Sequence, residues 1–446
     1  MALPGSILWR LGRRARWLTR PANLQERNVR NVLIDGIGVG LVGGVSTFLS
    51  VFLVRLGASP FLVGLLTAMP ALTGMVLAIP VGRMLERQRN IVPWYSRARI
   101  WVLGSYALTG LVPFLFALDV APIPIIAIWA VATVPQTIVN VAFTIVMGAV
   151  AGPNRRYYLM SRRWSSLGIA SALTVALVGW LLEQFAFPIN YQYVFIGSFA
   201  GGLLSFAFSS RIDIPDNDPN EHEGSTSHGL RVQLREGWLA LRENVVYSRF
   251  LASQFVFRCG IALAVPLFPL YWVRELQASD WWIGVINTVQ NAVLLGAYFL
   301  WSELSRRRGS GLVLRLCAFG LVFYPLLTGL TRSVPPLVIY AGLAGIFMAG
   351  IDLVLFDILL TTCPQRHSAS YIALYQMTTY VATFVGPILG TFLAEQFGYA
   401  PALFVSSGLR LAGAVLFVLL GIGAMAVTSR PKAVERPATV ERTAKG

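Results

Sequence analysis

The chain has 446 residues, 56% of them hydrophobic and 13% charged, with a formal net charge of +16. That is too apolar for a soluble domain of average composition, which implies an integral membrane protein. The basic residues are spread along the chain rather than gathered on one domain, so a nucleic-acid-binding face is excluded as their purpose.

Residues 1–30 form a basic arm containing GSILWRLGRRARWLTR. Leu8, Leu11, Ala15 and Leu18 fall on one helical face while Arg10, Arg13, Arg14 and Arg16 lie elsewhere. That pattern suits a helix resting on an anionic membrane surface; a disordered basic tail is the alternative. No apolar stretch of about seven or more residues follows the charges, so a signal peptide is not expected.

A helix needs about 20 largely apolar residues to cross the hydrocarbon core. Twelve runs meet that need: residues 31–54, 60–82, 98–118, 125–150, 165–187, 191–210, 250–273, 281–301, 312–331, 336–362, 370–394 and 401–428. Pro70, Pro80, Pro135 and Pro387 lie inside them, as membrane helices tolerate. The expected architecture is therefore all-α, with a first six-helix bundle over 31–210 and a second over 250–428. Between them, residues 211–249 form a polar linker. His222 and His228 in its acidic run read as solvated rather than as cation ligands, because ordering a loop costs about 1–2 kcal/mol per residue. Residues 429–446 have prolines, charges and no periodicity, and read as a disordered tail. With both ends on one side, 31 of the 36 Lys and Arg fall on that side, counting Arg99 and Arg315 at the inner ends of their runs with the adjoining loops. Arg55, Arg274 and Arg332 fall on the other, and Arg258 and Arg410 lie within spans. The positive-inside rule then puts both termini in the cytoplasm of a multi-pass protein of the cell membrane.

Leu56 to Gly64 reads LGASPFLVG and Leu276 to Gly284 reads LQASDWWIG. Pro153-Asn154-Arg155-Arg156 returns as Pro364-Gln365-Arg366-His367, and Glu183-Gln184-Phe185 as Glu395-Gln396-Phe397. Three echoes in one order at nearly constant spacing imply a chain duplicated in halves, the organisation of secondary transporters. Cys259, Cys317 and Cys363 show no metal or disulfide spacing and read as small buried residues.

A charge at the centre of a span costs about 2.5–3.5 kcal/mol on insertion scales and often marks function. Asp35, Arg258, Asp352, Asp357 and Arg410 qualify. Asp352 and Asp357 are five apart, hence about 140° apart around their helix, and face different neighbours. Asp35 or Asp357 is expected to exchange a proton as Arg258 moves, since a nearby cation favours the charged carboxylate and desolvation the neutral one. A static buried ion pair is the alternative. Uncharged polar stripes mark a substrate cavity: Gln136 and Asn140 with Thr144, then Asn287, Gln290 and Asn291, then Tyr375 and Gln376 with Tyr380. Such stripes also serve as interhelical hydrogen bonds. Tyr271, Trp272, Trp281 and Trp282 read as interfacial anchors, and Gly36, Gly40 and Gly44 as a close-packing stripe.

Gly82-Arg83-Met84-Leu85-Glu86-Arg87-Gln88-Arg89, preceded by Pro80, resembles the signature loop between helices 2 and 3 of the major facilitator superfamily. By that resemblance Gly82 is a close-packing glycine, Glu86 stands where Asp is usual, and Arg87 and Arg89 supply the basic cluster. Together these form a conformational latch in which Glu86 caps a helix dipole or pairs with an arginine across the halves. The family's later glycine is missing, and Ser302 to Gly309 is an altered second copy. The resemblance covers residues 28–428 and implies a major facilitator fold whose halves rock about a cavity lined by helices 1, 4, 7 and 10. It would thus bring Asp35, Arg258 and Asp357 into one polar cluster. It departs from the drug antiporters of the family: Gly386-Pro387 with Gly390 lies in helix 11 rather than helix 5, and Pro135 and Gln136 stand in the region of their helix 4 arginine.

The implied function is secondary active transport of a small molecule by alternating access, coupled to protons, with export an open option. A lipid flippase or a transport-like membrane sensor on the same scaffold is the alternative. The chain has no HExxH, GxSxG or GxxxxGK[ST] motif, so neither an enzyme, a cofactor nor an ATP-driven pump is expected. The expected partners are a small-molecule substrate, protons and anionic lipids, with no nucleic acid, and the expected state is a monomer.

Overall fold

The computed structural model describes residues 23–215, 244–362 and 368–422. Among these are twelve helices long and apolar enough to cross a membrane. They are α1 (Leu24–Arg55), α2 (Pro60–Glu86), α3 (Val92–Leu115), α4 (Pro122–Ala151), α5 (Leu159–Leu181), α6 (Ile189–Ser209), α7 (Val245–Glu275), α8 (Asp280–Arg308), α9 (Ser310–Leu330), α10 (Pro335–Leu359), α11 (Tyr371–Phe397) and α12 (Tyr399–Leu419). The basic arm up to residue 22, His222 and His228, Cys363 with the Pro364–His367 echo, and the final tail lie outside the described residues.

Local chemistry sets several boundaries. Asn23 caps α1, its side chain accepting the Glu26 N–H at 2.8 Å, one of the donors a helix start leaves unpaired. Ser59 caps α2 ahead of Pro60, whose fixed φ suits the first helical position. Between α8 and α9 the chain turns at Gly309, φ +86, a conformation that glycine adopts without a Cβ clash. Two helices begin earlier than the apolar runs suggest. α3 starts at Val92 rather than 98, with Pro93 in its first turn and Ile91, Val92 and Tyr95 buried. α5 is helical well before 165, because one helical backbone runs unbroken from Pro122 to Leu181. Arg99, near the start of α3, and Arg163, in the early part of α5, are arginines that charge counting assigns to cytoplasmic loops, yet both lie inside helices and are buried. α12 stops at Leu419, short of the expected 428, with Gly421 at φ +66 just beyond.

The first helix of each half is broken at matching depth. α1 divides into Leu24–Ser46 and Leu49–Arg55. α7 divides at Pro266, which lacks an N–H for the ladder, into Val245–Ala264, Leu267–Leu270 and a wider turn over Tyr271–Glu275. In the first half α1 packs on α5 and α6, and α3 on α4 and α6; in the second α7 packs on α11 and α12, and α9 on α10 and α12. The halves meet along α2 with α11 and along α5 with α8.

The glycine stripe of α1 is a packing surface. A Cβ on Gly44 would lie 2.5 Å from Thr174 Cβ, and one on Gly36 3.2 Å from Arg163 Cγ. On Gly40 it would overlap the Leu167 carbonyl. Gly386 and Gly390 do the same for α11 against Ala262 and Leu263 of α7. Two expected interfacial anchors are instead core residues. Tyr271 is buried and donates to the Thr331 carbonyl at 2.8 Å, and Trp272 is buried with its ring on Phe268. The break in α7 turns both inward.

Candidate functional site

Asp35 is fully buried on α1 and collects partners from three other helices of its own half. Arg99 Nη1 of α3 lies 3.4 Å from Oδ1 and Arg163 Nη2 of α5 lies 3.2 Å from Oδ2. Ser205 of α6 donates to Oδ1 at 2.6 Å, and Tyr95 of α3 donates to Oδ2 at 3.5 Å. Arg99 also bonds the Tyr95 hydroxyl, and the Arg163 guanidinium stacks over Phe143 of α4 at 4.6 Å. One carboxylate thus pins five helices around two cations. This corrects the expected cluster of Asp35, Arg258 and Asp357: the glycine stripe presses α1 so close to α5 and α6 that Asp35 is consumed within the first half.

The second half distributes its charges differently. Arg410 of α12 is buried against main-chain carbonyls, Leu321 at 3.0 Å and Gly260 at 3.4 Å, a packing role at the α7–α9–α12 junction. Asp357 accepts from the Ser310 hydroxyl at the start of α9. Asp352 faces α8 instead, where it accepts from Tyr298 Oη at 3.4 Å. The roughly 140° between the two aspartates accounts for these separate neighbours. Among the described residues Arg258 of α7 reaches only Tyr375 Oη, at 3.5 Å, and its Nε is buried without a partner. Arg258 and Asp352 feel each other's charge without forming a direct ion pair.

The polar stripes are unequal. Gln136 donates to Asn140 at 2.9 Å, and Thr144 bonds its own helix at Val141. Asn287 bonds the carbonyl of Ile283. Gln290 and Asn291 are half-buried, Gln376 is exposed, and Tyr375 is buried with its ring stacked on Phe250. At the end of the molecule that carries the first and last described residues, called the terminal end below, Gly82 fails its expected role: a Cβ there would meet nothing within 4 Å. Glu86 and Arg87 are exposed, as is Arg89. The equivalent Glu303 pairs with Arg306 and Arg307 of its own helix. Gly82, Glu86 and Arg87 show no contact with the other half among the described residues.

The opposite, far end is where the sequence echoes converge. In the first copy of the repeated hinge, Gly57 has φ +83; in the second, Gln277 has φ +50, a left-handed conformation seldom taken by a non-glycine residue. Arg274 Nη2 of the second half donates to the Ala58 carbonyl at 2.6 Å, and Arg55 Nη2 of the first donates to the Ala278 carbonyl at 2.8 Å. Glu395, at the end of α11, accepts the Phe61 N–H of α2 at 3.3 Å; Glu183, at the end of α5, accepts the Trp281 N–H of α8 at 2.9 Å. Each carboxylate thus caps a helix start in the opposite half, where orphan donors and the helix dipole favour negative charge. One turn deeper, Gly64 packs on Thr391 and Gly284 on Gly179. Asymmetry enters at one position, where Pro60 corresponds to Asp280. Asp280 takes Arg55 Nε at 2.8 Å and Tyr191 Oη at 2.7 Å, whereas Arg274 reaches Tyr399 Oη at 3.0 Å. Composition does not reveal this clasp; the echoes mark its pieces, and the mutual docking needs coordinates.

A sequence profile describing the Major Facilitator Superfamily matches residues 33–326 and 250–444. Among curated relatives, the multidrug resistance protein MdtG of Proteus mirabilis is 27% identical over 169 residues, and that of Serratia proteamaculans 26% over 172. These alignments cover 37% of this chain in each case, and 40% and 41% of the relatives' length. Among solved structures, a variant of the nucleoside transporter NupG superposes with a TM-score of 0.71 at 11% identity, covering 89% of this chain and all of the other. A structure described as giving insight into substrate recognition in proton-dependent oligopeptide transporters superposes at 0.66 and 11%, covering 91% and 99%. At such identities these superpositions show the fold. With the profile extending across both halves, the chain belongs to the Major Facilitator Superfamily.

Proposed function

We propose that the chain is a secondary transporter that moves a small molecule through the cell membrane by alternating access, and that this structure is its state closed at the far end. The observation that carries the reading is the reciprocal clasp. The hydrogen bonds that cross between the halves gather at the far end, whereas Gly82 and Glu86 face open space at the terminal end. Two rocking bundles need such a closure at one face at a time. The basic bias of the sequence supports a cytoplasmic terminal end, which makes the state inward-facing. The multidrug resistance relatives support outward transport, and neither they nor the solved neighbours are enzymes.

Proton coupling belongs to the second half in this reading. Asp35 is held by two arginines that move with it, so rocking the halves does not change its surroundings. Asp352 is held by one hydroxyl, and the groups facing it come from separate helices: Arg258 from α7 and Tyr298 from α8, with Cys317 of α9 beside Gly350. Single cysteines test both proposals without a known substrate, in a background lacking Cys259, Cys317 and Cys363. Gly82→Cys should label with a membrane-impermeant maleimide from the cytoplasmic face, and Thr391→Cys, buried in the α2–α11 contact, should label from the outside only after the halves rock. A pH gradient across the vesicle should shift the ratio of the two. The shift should persist in Asp35→Asn and vanish in Asp352→Asn. Equal labelling of both sites under every condition overturns alternating access; a shift that survives Asp352→Asn overturns the coupling.

A further inference from the structure

We infer that the central site takes a zwitterion, a small molecule whose anionic group meets Arg258 and whose cationic group meets Asp352. The inference rests on the transport reading above and names its substrate class. Among the described intramembrane charges, most are already neutralised or satisfied. Asp35 has two arginines, Arg410 is bonded to carbonyls, and Asp357 bonds Ser310 at the terminal end. Arg258 and Asp352 remain. The guanidinium has five N–H donors, of which one reaches a phenol at 3.5 Å and another, Nε–H, is buried with no acceptor. Asp352 has one phenol at 3.4 Å. They stand in each other's field without touching, on helices that barely contact one another.

A second unmet group lies one turn away. Gln254 of α7 is fully buried; its Nε2 bonds Thr379 Oγ1 at 3.2 Å, and its Oε1 has no donor. Separated, half-satisfied opposite charges are costly in a low-dielectric interior, and a ligand carrying both complements relieves both at once. A cation alone would be repelled by Arg258, an anion alone by Asp352, and a neutral apolar molecule would leave both desolvated. The phenols of Tyr298 and Tyr375 meet the two charges and suit a ligand that carries an apolar or aromatic body beside its poles.

The test uses phenylalkyl probes of closely similar size and four charge patterns on the purified full-length protein in nanodiscs, read as thermal stabilisation over a concentration series. The probes are phenylalanine, phenethylamine, hydrocinnamate and phenylacetamide. Phenylalanine should stabilise the wild type at the lowest concentration. Arg258→Gln should shift the preference to phenethylamine and Asp352→Asn to hydrocinnamate, each by about tenfold in apparent affinity, as expected for losing one charged hydrogen-bonding partner. A packing role would lower the stability of both variants without inverting charge preference. Should a single variant not fold, the double variant R258Q/D352N leaves neither charge unpaired and should favour phenylacetamide. Absence of zwitterion preference in the wild type, or variants that keep the same ranking, overturns the inference. Cysteine accessibility on the same preparation separates the two readings: labelling that alternates without a zwitterion preference sinks this inference alone, and a zwitterion preference without alternation sinks the transport reading.

Discussion

Asp35 shows how one residue can look like a proton-coupling group in a sequence and act as an anchor in a fold. It is a lone acidic group among apolar neighbours, which normally signals function, yet the chain returns Arg99, Arg163, Ser205 and Tyr95 to it from distant positions. Removing one partner of a buried ion cluster costs about 3–5 kcal/mol. Asp35→Asn strands two buried guanidinium groups, whereas Arg99→Gln or Arg163→Gln leaves Asp35 with one cation. The neutralised aspartate should therefore be the least stable of the three, measured as the thermal midpoint of the detergent-purified protein. Equal loss in all three would show that the cluster does not act as a unit. Gly40 is the steric counterpart. Its Cβ would overlap the Leu167 carbonyl, so Gly40→Val should lower the midpoint well beyond Gly197→Ala, which faces no atom within 4 Å. The aspartate was legible in the sequence, but its pairing was not, because Arg99 and Arg163 sit near the inner ends of their helices, read as topology charges, and reach Asp35 only when α3 and α5 pack on α1.

At the scale of elements, the hinges before α2 and α8 carry the far-end closure. Each arginine donates to a carbonyl of the opposite hinge, and each glutamate caps the opposite helix. Of these, the contact through Arg55 is the stronger because it also includes the Asp280 carboxylate, only 9% exposed, and Tyr191. Arg55→Ala should accordingly open the far end more than Glu395→Gln, whose bond is a single exposed one at 3.3 Å. The readout is outside labelling of Thr391→Cys, expected to rise about tenfold with Arg55→Ala, the population change equivalent to about 1.4 kcal/mol. Unchanged labelling in both variants would remove the clasp from the gating account. Pro60→Asp, which supplies the first copy with the acid found in the second, should draw Arg274 inward and lower that labelling. The echoes at 56–64 and 276–284 made these hinges visible; what each hinge grips was invisible, since its partners lie between 89 and 334 residues away.

For the whole molecule, the present state is defined by contrast between its two ends. Gly82, Glu86 and Arg87 at the terminal end lack the contacts that their resemblance to a latch predicts, and the far end is shut. Both facts would be produced by one tilt of α2 against α11, as in halves that rock about a central site. If the latch forms when the tilt reverses, Arg55→Ala combined with Glu86→Ala should leave neither end closed, giving simultaneous labelling of Gly82→Cys and Thr391→Cys; a far-end opening unaffected by Glu86→Ala would deny the latch its role. The amino-acid sequence by itself determined the membrane setting, the twelve apolar helices and the duplication, because hydrophobic length and repeat spacing are local or self-referential properties of a chain. Only the tertiary structure decided which charges are spent on packing and which remain open. Burial and pairing depend on helices brought together from both sides of a half or of the whole molecule, and spacing along the chain carries no record of that distance.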